Sequence, residues 1–298
     1  MNPLRTVRPL SWLAAAVLLA GCAAPAPPDA ASSAWSCPVP AGVAHADYVG
    51  PYLGPENLLK PADFARDFAC SDAVKARLAP RGFVTLFGSS RIGERNPACE
   101  AGGQRCDEQV RRANDAVYAD VRRFAALWTE RHGARVPVMT GAGPGLMEAA
   151  NRGAAEAGGP SWGYTTYYDR AANPTPERPY GGDPGKAFNP YVNHGIVFSS
   201  VVVREAQMIQ HSAALVIMPG GTGTEWETFQ IVETMKSRQI LPAPVYFFGE
   251  PAHWAGLRAR LDDLVRRRTV RREELAFLRF VATPQELVAA LEEDLKLK

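Results

Sequence analysis

Residues 201–227 read VVVREAQMIQHSAALVIMPGGTGTEWE and predict a helix, a buried strand, a glycine turn and the start of a second helix. The segment 214–218 is an unbroken apolar run, as expected for a parallel strand covered on both faces. The turn 219–224, PGGTGT, follows it directly. Backbone N–H groups at such a turn, together with the dipole of the helix that begins there, attract phosphate.

Two opposite charges flank this turn. Arg204 lies in the helix before the strand, and Glu227 lies one turn into the helix after it. We interpret the pair as the reactive part of a site for a phosphorylated small molecule. The alternative is that the turn only reverses the chain tightly, since glycine-rich turns also serve that purpose, and that the pair is a structural salt bridge.

A second glycine turn of the same kind favours the interpretation as a phosphate site. The segment 141–145, GAGPG, follows a predicted strand at 136–139 and opens a helix. A shorter turn at 88–90, GSS, follows a predicted strand at 83–87. The second turn departs from the G-x-G-x-x-G pattern, and no acidic residue follows on the next strand, so NAD is not expected and no cofactor is predicted.

The alternation of strands and helices from residue 81 onward predicts an α/β fold with a doubly wound, Rossmann-like parallel sheet in one domain. In such a sheet the loops that follow the strands bind ligands. The long segment 165–193 is interpreted either as a lid over the ligand or as an insertion without consequence. Glu177 in this segment is a weak site candidate, and Glu148, His194 and His211 are expected to be structural.

The N-terminus is expected to be a targeting segment. Arg5 and Arg8 precede a short apolar stretch that ends in LAGC at Cys22, which resembles a bacterial lipoprotein signal. We therefore expect a signal peptide at 1–21, a tether and irregular extension at 22–60, and the domain at 61–298. Lipid attachment at Cys22 would place the protein on the periplasmic side of a membrane, expected to be the outer membrane. A plain secretory signal is the alternative.

Composition excludes several classes of partner. The chain has 298 residues with 33 basic and 31 acidic side chains, so no strong field favours nucleic acid. The cysteines other than Cys22 are even in number, as expected for disulfides in an exported chain. One possible set of disulfides joins Cys37 to Cys70 and Cys99 to Cys106. Four cysteines allow three such sets, and the sequence does not decide among them. No C-x-x-C or matching histidine spacing indicates a metal.

These motifs together resemble the LOG family, the nucleoside 5′-monophosphate phosphoribohydrolases long mislabelled as lysine decarboxylases. The resemblance covers residues 80–250 and rests on three motifs. They are Arg204, Met208 and Ser212 with PGGTGTxxE at 219–227, GPGLMEAANRGA at 143–154, and GSS at 88–90. The family usually has Arg-Lys where this chain has Arg204-Glu205, Ser-Asp where it has Ser212-Ala213, and a histidine where it has Val202.

The resemblance implies hydrolysis of an N-glycosidic bond to free base and ribose 5-phosphate, with Arg204 and Glu227 catalytic, and a homodimer. A non-catalytic nucleotide or cofactor carrier, resembling the molybdenum-cofactor carriers, is the alternative. Arg204 would orient Glu227 by a charge-assisted hydrogen bond. Met147 is either a binding residue or a core residue. The implied substrate-binding residues are Gly88, Ser89, Ser90, Gly143, Gly145, Met147, Gly220, Gly221, Thr222, Gly223 and Thr224.

Overall fold

The computed structural model describes residues 35–41, 43–94, 108–167 and 187–297, all within one unit that spans Trp35–Lys298. Cys22, Cys99, Cys106 and Glu177 therefore lie outside the described residues. The same holds for the expected signal peptide and for most of the predicted lid.

Eight strands of the described residues form one sheet in the order β1-β5-β4-β3-β2-β6-β7-β8, and every neighbouring pair is parallel. The chain winds outward from β2 through β3, β4 and β5, and then crosses to β6 on the other side of β2. This confirms the predicted doubly wound sheet. The strands are β1 (Ala46–Val49), β2 (Phe83–Phe87), β3 (Val138–Thr140), β4 (Ser161–Thr165), β5 (His194–Val197), β6 (Ser212–Ile217), β7 (Val245–Phe248) and β8 (Leu278–Val281).

Seven α-helices in the described residues cover the two faces of the sheet, and the side chains of the central strands are buried against these two layers. One face carries α2, α3 and α7, and the other carries α1, α4, α5 and α6. The helices are α1 (Pro61–Leu78), α2 (Glu108–His132), α3 (Leu146–Glu156), α4 (Val201–Gln210), α5 (Thr222–Lys236), α6 (Ala255–Arg266) and α7 (Pro284–Asp294). Short 3-10 turns lie at Glu56–Leu58 and Arg272–Leu275.

The two central strands show why the sheet is buried on both sides. All five residues of β2 are buried, with Val84 and Leu86 facing one layer and Phe83 and Phe87 the other. Fully burying an aliphatic or aromatic side chain of this size stabilises a fold by about 1.5–3 kcal/mol. The central strands therefore supply much of the apolar burial and fix the position of the loops that follow them.

The N-terminal extension is more ordered than its sequence indicates. We expected irregular chain up to about residue 60, but β1 pairs in parallel with β5 at the edge of the sheet. A disulfide joins Cys37 in this extension to Cys70 in α1. The pairing of these two cysteines, which was one of the possibilities from sequence, is thereby the one observed.

No described helix is long and apolar enough to cross a membrane.

Candidate functional site

The centre of the sheet is the point where the winding direction changes. Strands β2 and β6 are neighbours there, although β3, β4 and β5 separate them along the chain. Loops that follow the carboxyl ends of strands at such a point form a crevice in which α/β proteins bind ligands. The glycine-containing turns at 88–90 and 219–224 follow these two strands, and the turn at 141–145 follows the adjacent β3.

Backbone hydrogen bonds join the three turns into one structure. Ser89 N donates to Pro219 O at 3.0 Å, and Leu146 N donates to Ser89 O at 2.9 Å. The turn after β2 is thus held between the turn after β6 and the turn after β3. The sequence-predicted binding turns therefore lie side by side at the same edge of the sheet.

Two glycines allow this close approach. Gly145 has a positive φ of 73°, and a Cβ there would lie against Ser89 O and 2.7 Å from the carbonyl carbon of Ser90. At Gly88 a Cβ would lie 2.8 Å from Cε of Met218. A larger residue at Gly145 would push the two turns apart, and one at Gly88 would displace the end of the Met218 side chain, so both glycines have a packing role whether or not a ligand is present.

Met147 packs over the glycine turn at 141–145 rather than in the core. Its Sδ atom is 2.9 Å from where a Cβ on Gly141 would lie, and its Cε atom is 2.7 Å from the corresponding position on Gly143. The side chain is partly buried and belongs to neither main core cluster. The alternative of a core residue is therefore wrong, and Met147 instead covers the glycine turn.

The turn after β6 leaves backbone exposed. Gly221, Thr222 and Gly223 are exposed, and a Cβ at either glycine would meet no atom within 4 Å. Helix α5 begins at Thr222 with Gly221 as its N-cap, and this glycine has no side chain to accept from the first N–H groups. Unpaired N–H groups at a helix N-terminus are the donors that an anion requires. Thr224 differs because it is buried and packs against Gly220.

Arg204 is a buried residue with a fixed side chain. It is 4% exposed, and its Nε donates to the carbonyl oxygen of Tyr164 at 3.0 Å, near the carboxyl end of β4. Its Nη2 atom occupies the space that a Cβ on Gly141 would need. The guanidinium group therefore lies against the glycine turn that follows β3.

The ion pair of Arg204 differs from the expected one. Nη1 of Arg204 donates to Oε1 of Glu205, and among the described residues Arg204 makes no direct ion pair with Glu227. The predicted charge-assisted hydrogen bond between Arg204 and Glu227 is therefore not formed. The reason is geometric, since Glu205 on the same helix lies close enough to take the guanidinium first.

Glu205 is a site residue that the sequence reasoning missed. It is 2% exposed, and its second oxygen, Oε2, is buried without a hydrogen-bond partner in the described residues. Burial raises the pKa of Glu205, and the Arg204 charge lowers it. The sequence signal was the glutamate at a position where the LOG family usually has lysine.

Glu227 interacts electrostatically with Glu205 and Arg204. Burial, together with the negative charge of Glu205, raises the pKa of Glu227 to about 8, and Arg204 acts in the opposite direction. A carboxyl group with this pKa holds its proton at neutral pH and releases it slightly above. Perturbed groups of this kind cluster at functional sites, although structural networks also produce them.

The N-terminus of α4, which carries Arg204 and Glu205, is held by the N-terminal extension and α1. Ser200 N donates to Asp67 Oδ2 at 2.9 Å, and Val201 N donates to Glu56 Oε2 at 3.0 Å. The Ser200 hydroxyl also donates to Glu56, and its oxygen accepts from Val203 N at 3.0 Å. Two carboxylates at a helix N-terminus stabilise it and fix its position.

The remaining candidates have structural roles. His211 ends α4 and lies between the Tyr164 hydroxyl at 3.0 Å and Asp72 at 2.8 Å. His194 begins β5, where its ring stacks on Trp162 with centroids 4.8 Å apart. Glu148 accepts a hydrogen bond from the hydroxyl of Tyr118 at 3.3 Å. Within the described ranges, no group of three or more His, Cys, Asp or Glu residues could hold a metal.

Residues 147–291 match the family described as "Possible lysine decarboxylase", a LOG-like family. The match includes Arg204, Glu205, Glu227 and the turn 219–224. It confirms the family resemblance drawn from the motifs. No curated protein matches the sequence significantly.

Several solved structures are similar in fold. The molybdenum cofactor carrier protein MCP from Chlamydomonas reinhardtii is 16% identical, with a TM-score of 0.45, and the match covers 72% of this chain and 98% of that one. The molybdenum cofactor binding protein from the phototrophic bacterium Rippkaea orientalis is 16% identical, with a TM-score of 0.44 and coverages of 70% and 93%. A structural genomics target, TM1055, is 14% identical, with a TM-score of 0.45 and coverages of 71% and 99%. At these values the similarities assign no ligand to this chain.

Proposed function

We propose that the protein hydrolyses the N-glycosidic bond of a nucleoside 5′-monophosphate, giving free base and ribose 5-phosphate. The observation that carries the proposal is the joining of three glycine-containing turns at the edge where Arg204, Glu205 and Glu227 act on one another. The match of residues 147–291 to a LOG-like family supports it. An anion site and a perturbed carboxyl group at the same sheet edge fit a phosphorylated substrate with a reactive carbon nearby.

In this proposal the turn 219–224 binds the phosphate. Its exposed backbone at Gly221 and Gly223 and the free N-terminus of α5 supply hydrogen-bond donors and a favourable dipole. Ser90, which is exposed and whose carbonyl group lies against Gly145, is a further donor through its hydroxyl. Binding energy from the phosphate is then available to hold the sugar at the reacting position.

Glu227 acts as the general base. A water oxygen attacks C1′ while the bond from C1′ to the base nitrogen breaks, and the electron pair of that bond leaves with the base. Glu227 takes the proton of the water and passes it to the departing base, so that water is the only reactant consumed besides the nucleotide. With a pKa of about 8, Glu227 loses its proton and becomes able to act as the base as the pH rises toward 8 and above.

The transition state carries positive charge on the sugar, as in other glycoside hydrolyses. Ionised Glu227 stabilises that charge, and Arg204, held by Tyr164 O and Glu205, supplies a fixed donor for the sugar or base. Catalysis by this arrangement depends on a pre-formed site. The buried, hydrogen-bonded position of the guanidinium group supports such a site.

The experiment is a screen of substrates that differ in one group. Purified protein is incubated with the four common nucleoside 5′-monophosphates, with adenosine and with 2′-deoxy-AMP, and released base is measured by chromatography. We expect base from at least one monophosphate and at least about 100-fold less from adenosine, because the phosphate contacts are lost. Binding of monophosphates without any base release would contradict hydrolysis and favour the carrier alternative.

We also propose that the protein is exported and anchored through a lipid on Cys22, and that it forms a homodimer. The disulfide between Cys37 and Cys70 supports an oxidising compartment. Membrane fractionation with mass spectrometry of the mature N-terminus tests the anchor. A soluble protein that begins at Met1 would contradict it, and sedimentation analysis tests the dimer.

A further inference from the structure

Arg204 is flanked by two carboxylates but pairs directly with only one of them in the described residues. Glu205 adjoins it on α4 and receives the hydrogen bond from Nη1, whereas Glu227 on α5 acts on it at longer range. One guanidinium cannot neutralise both the buried carboxylate of Glu205 and the partly buried carboxylate of Glu227, so the three groups together favour the binding of one proton.

Glu205 competes strongly with Glu227 for the guanidinium of Arg204, because Glu205 is buried. The residue is 2% exposed, and its Oε2 atom is buried without a partner in the described part of the chain. A carboxylate in such a place is stable only through its bond to Arg204, because water does not reach it. Glu205 therefore keeps the guanidinium, and the remaining proton goes to Glu227.

We propose that Glu205 is a positioning residue for the site, because its carboxylate holds the guanidinium of Arg204 and leaves Glu227 as the group that holds and releases the catalytic proton. This inference rests on the proposed hydrolysis for the use of that proton. The pairing itself does not depend on it. The charged groups of the described residues that act on Glu227 are Glu205 and Arg204, both from α4.

The backbone around the pair is arranged to keep it in place. Arg204 Nε is fixed on Tyr164 O, and the N-terminus of α4 is fixed by Asp67 and Glu56. The guanidinium is thus held by a contact to β4 as well as by Glu205. Removing the charge of Glu205 while keeping its shape should instead let Arg204 act fully on Glu227.

The test is a pH titration of Glu227 in the Glu205→Gln variant. Carbon-13 NMR of the glutamate carboxyl groups monitors the titration in the protein without substrate. We expect the midpoint of Glu227 to fall by at least about one pH unit relative to the wild type, because a like charge is lost and an opposite charge is released. Glu225→Gln is the matched control, since Glu225 is exposed on the first turn of the same helix, and it should leave the midpoint unchanged.

A reciprocal measurement covers the case in which Glu205→Gln does not fold. Two interacting groups shift each other by the same free energy, so Glu227→Gln should lower the midpoint of Glu205. Unchanged midpoints in both variants, or an equal shift in the Glu225→Gln control, would overturn the proposal.

The pH profile of base release separates this inference from the proposed function. In the wild type kcat/KM should rise with pH toward a plateau above about 8, and in Glu205→Gln the rise should move to lower pH by the same amount as the NMR midpoint. A shifted midpoint without any base release from a nucleotide contradicts the proposed hydrolysis but supports the pairing. A rate profile that does not move while the midpoint does would remove Glu227 from the role of base.

Discussion

The raised pKa of Glu227 predicts a pH-dependent effect of Glu227→Gln on stability. The folded protein holds this proton up to a pH of about 8, whereas an unfolded chain releases it near the ordinary glutamate pKa of 4.5. Between these values the unfolded state binds fewer protons, so stability falls as pH rises, by up to about 1.4 kcal/mol per pH unit. Below the lower value the effect is absent, and above the upper value it is constant.

Over the whole range between the two pKa values, the loss of stability amounts to about 5 kcal/mol. Because Glu205 and Glu227 interact, part of this free energy belongs to Glu205, and we assign about 2–4 kcal/mol to Glu227. Glutamine resembles the protonated acid in shape and cannot ionise. We therefore expect Glu227→Gln to match the wild type at pH 5 and to be more stable by about 2–4 kcal/mol at pH 9.

The assay is urea unfolding followed by tryptophan fluorescence at pH 5, 7 and 9, without reducing agent, so that the disulfide stays intact. Glu225→Gln serves as the control, because it removes an exposed carboxylate from the same helix. The reasoning is refuted if the stability difference between Glu227→Gln and the wild type is the same at pH 5 and pH 9.

Three further predictions concern the structure around the site. Replacing both Cys37 and Cys70 by serine should lower the free energy of unfolding by about 3–4 kcal/mol, from a loop with a sequence separation of 33, measured by urea unfolding. Gly145→Ala should lower both stability and base release far more than Gly158→Ala. Both glycines have φ near 74°, but only Gly145 is crowded by neighbouring atoms, so equal effects would contradict the contact between turns. Glu56→Ala should cost about 1.5–3 kcal/mol through lost charged hydrogen bonds at the N-terminus of α4, and an unchanged melting temperature would contradict that role.

The sheet was largely predictable because its strands are continuous apolar runs. The prediction at 83–87 matches β2, and the apolar run at 214–218 overlaps β6, since a strand covered on both faces carries no polar alternation. The bounds of helix α1 are also marked in the sequence, by Pro61 at its start and Pro80 after its end. Local sequence rules were sufficient for these elements.

Strand β1 could not be predicted in the same way. Its four residues, ADYV, are short and mixed in character, and their partner strand β5 lies far along the chain. Such a strand forms because the sheet offers it an edge and because the disulfide holds the extension there. Neither condition can be seen in a window of a few residues.

The candidate site shows the same division. The sequence predicted that the loops after the strands bind the ligand and that Arg204 flanks a glycine turn. It did not predict which carboxylate takes the guanidinium, because that choice depends on side-chain positions in a buried space. Glu205 is adjacent in sequence to Arg204, and neighbouring residues on a helix do not usually share a face.

The most direct test of the account is base release from AMP by the wild type and by Glu227→Gln, with AMP affinity of both measured by calorimetry. The account predicts that adenine and ribose 5-phosphate appear in equal amounts with the wild type. It also predicts a rate at least about 100-fold lower in the variant, because its general base is lost, with little change in affinity. Equal rates for both proteins, or AMP binding without adenine from the wild type, would contradict it.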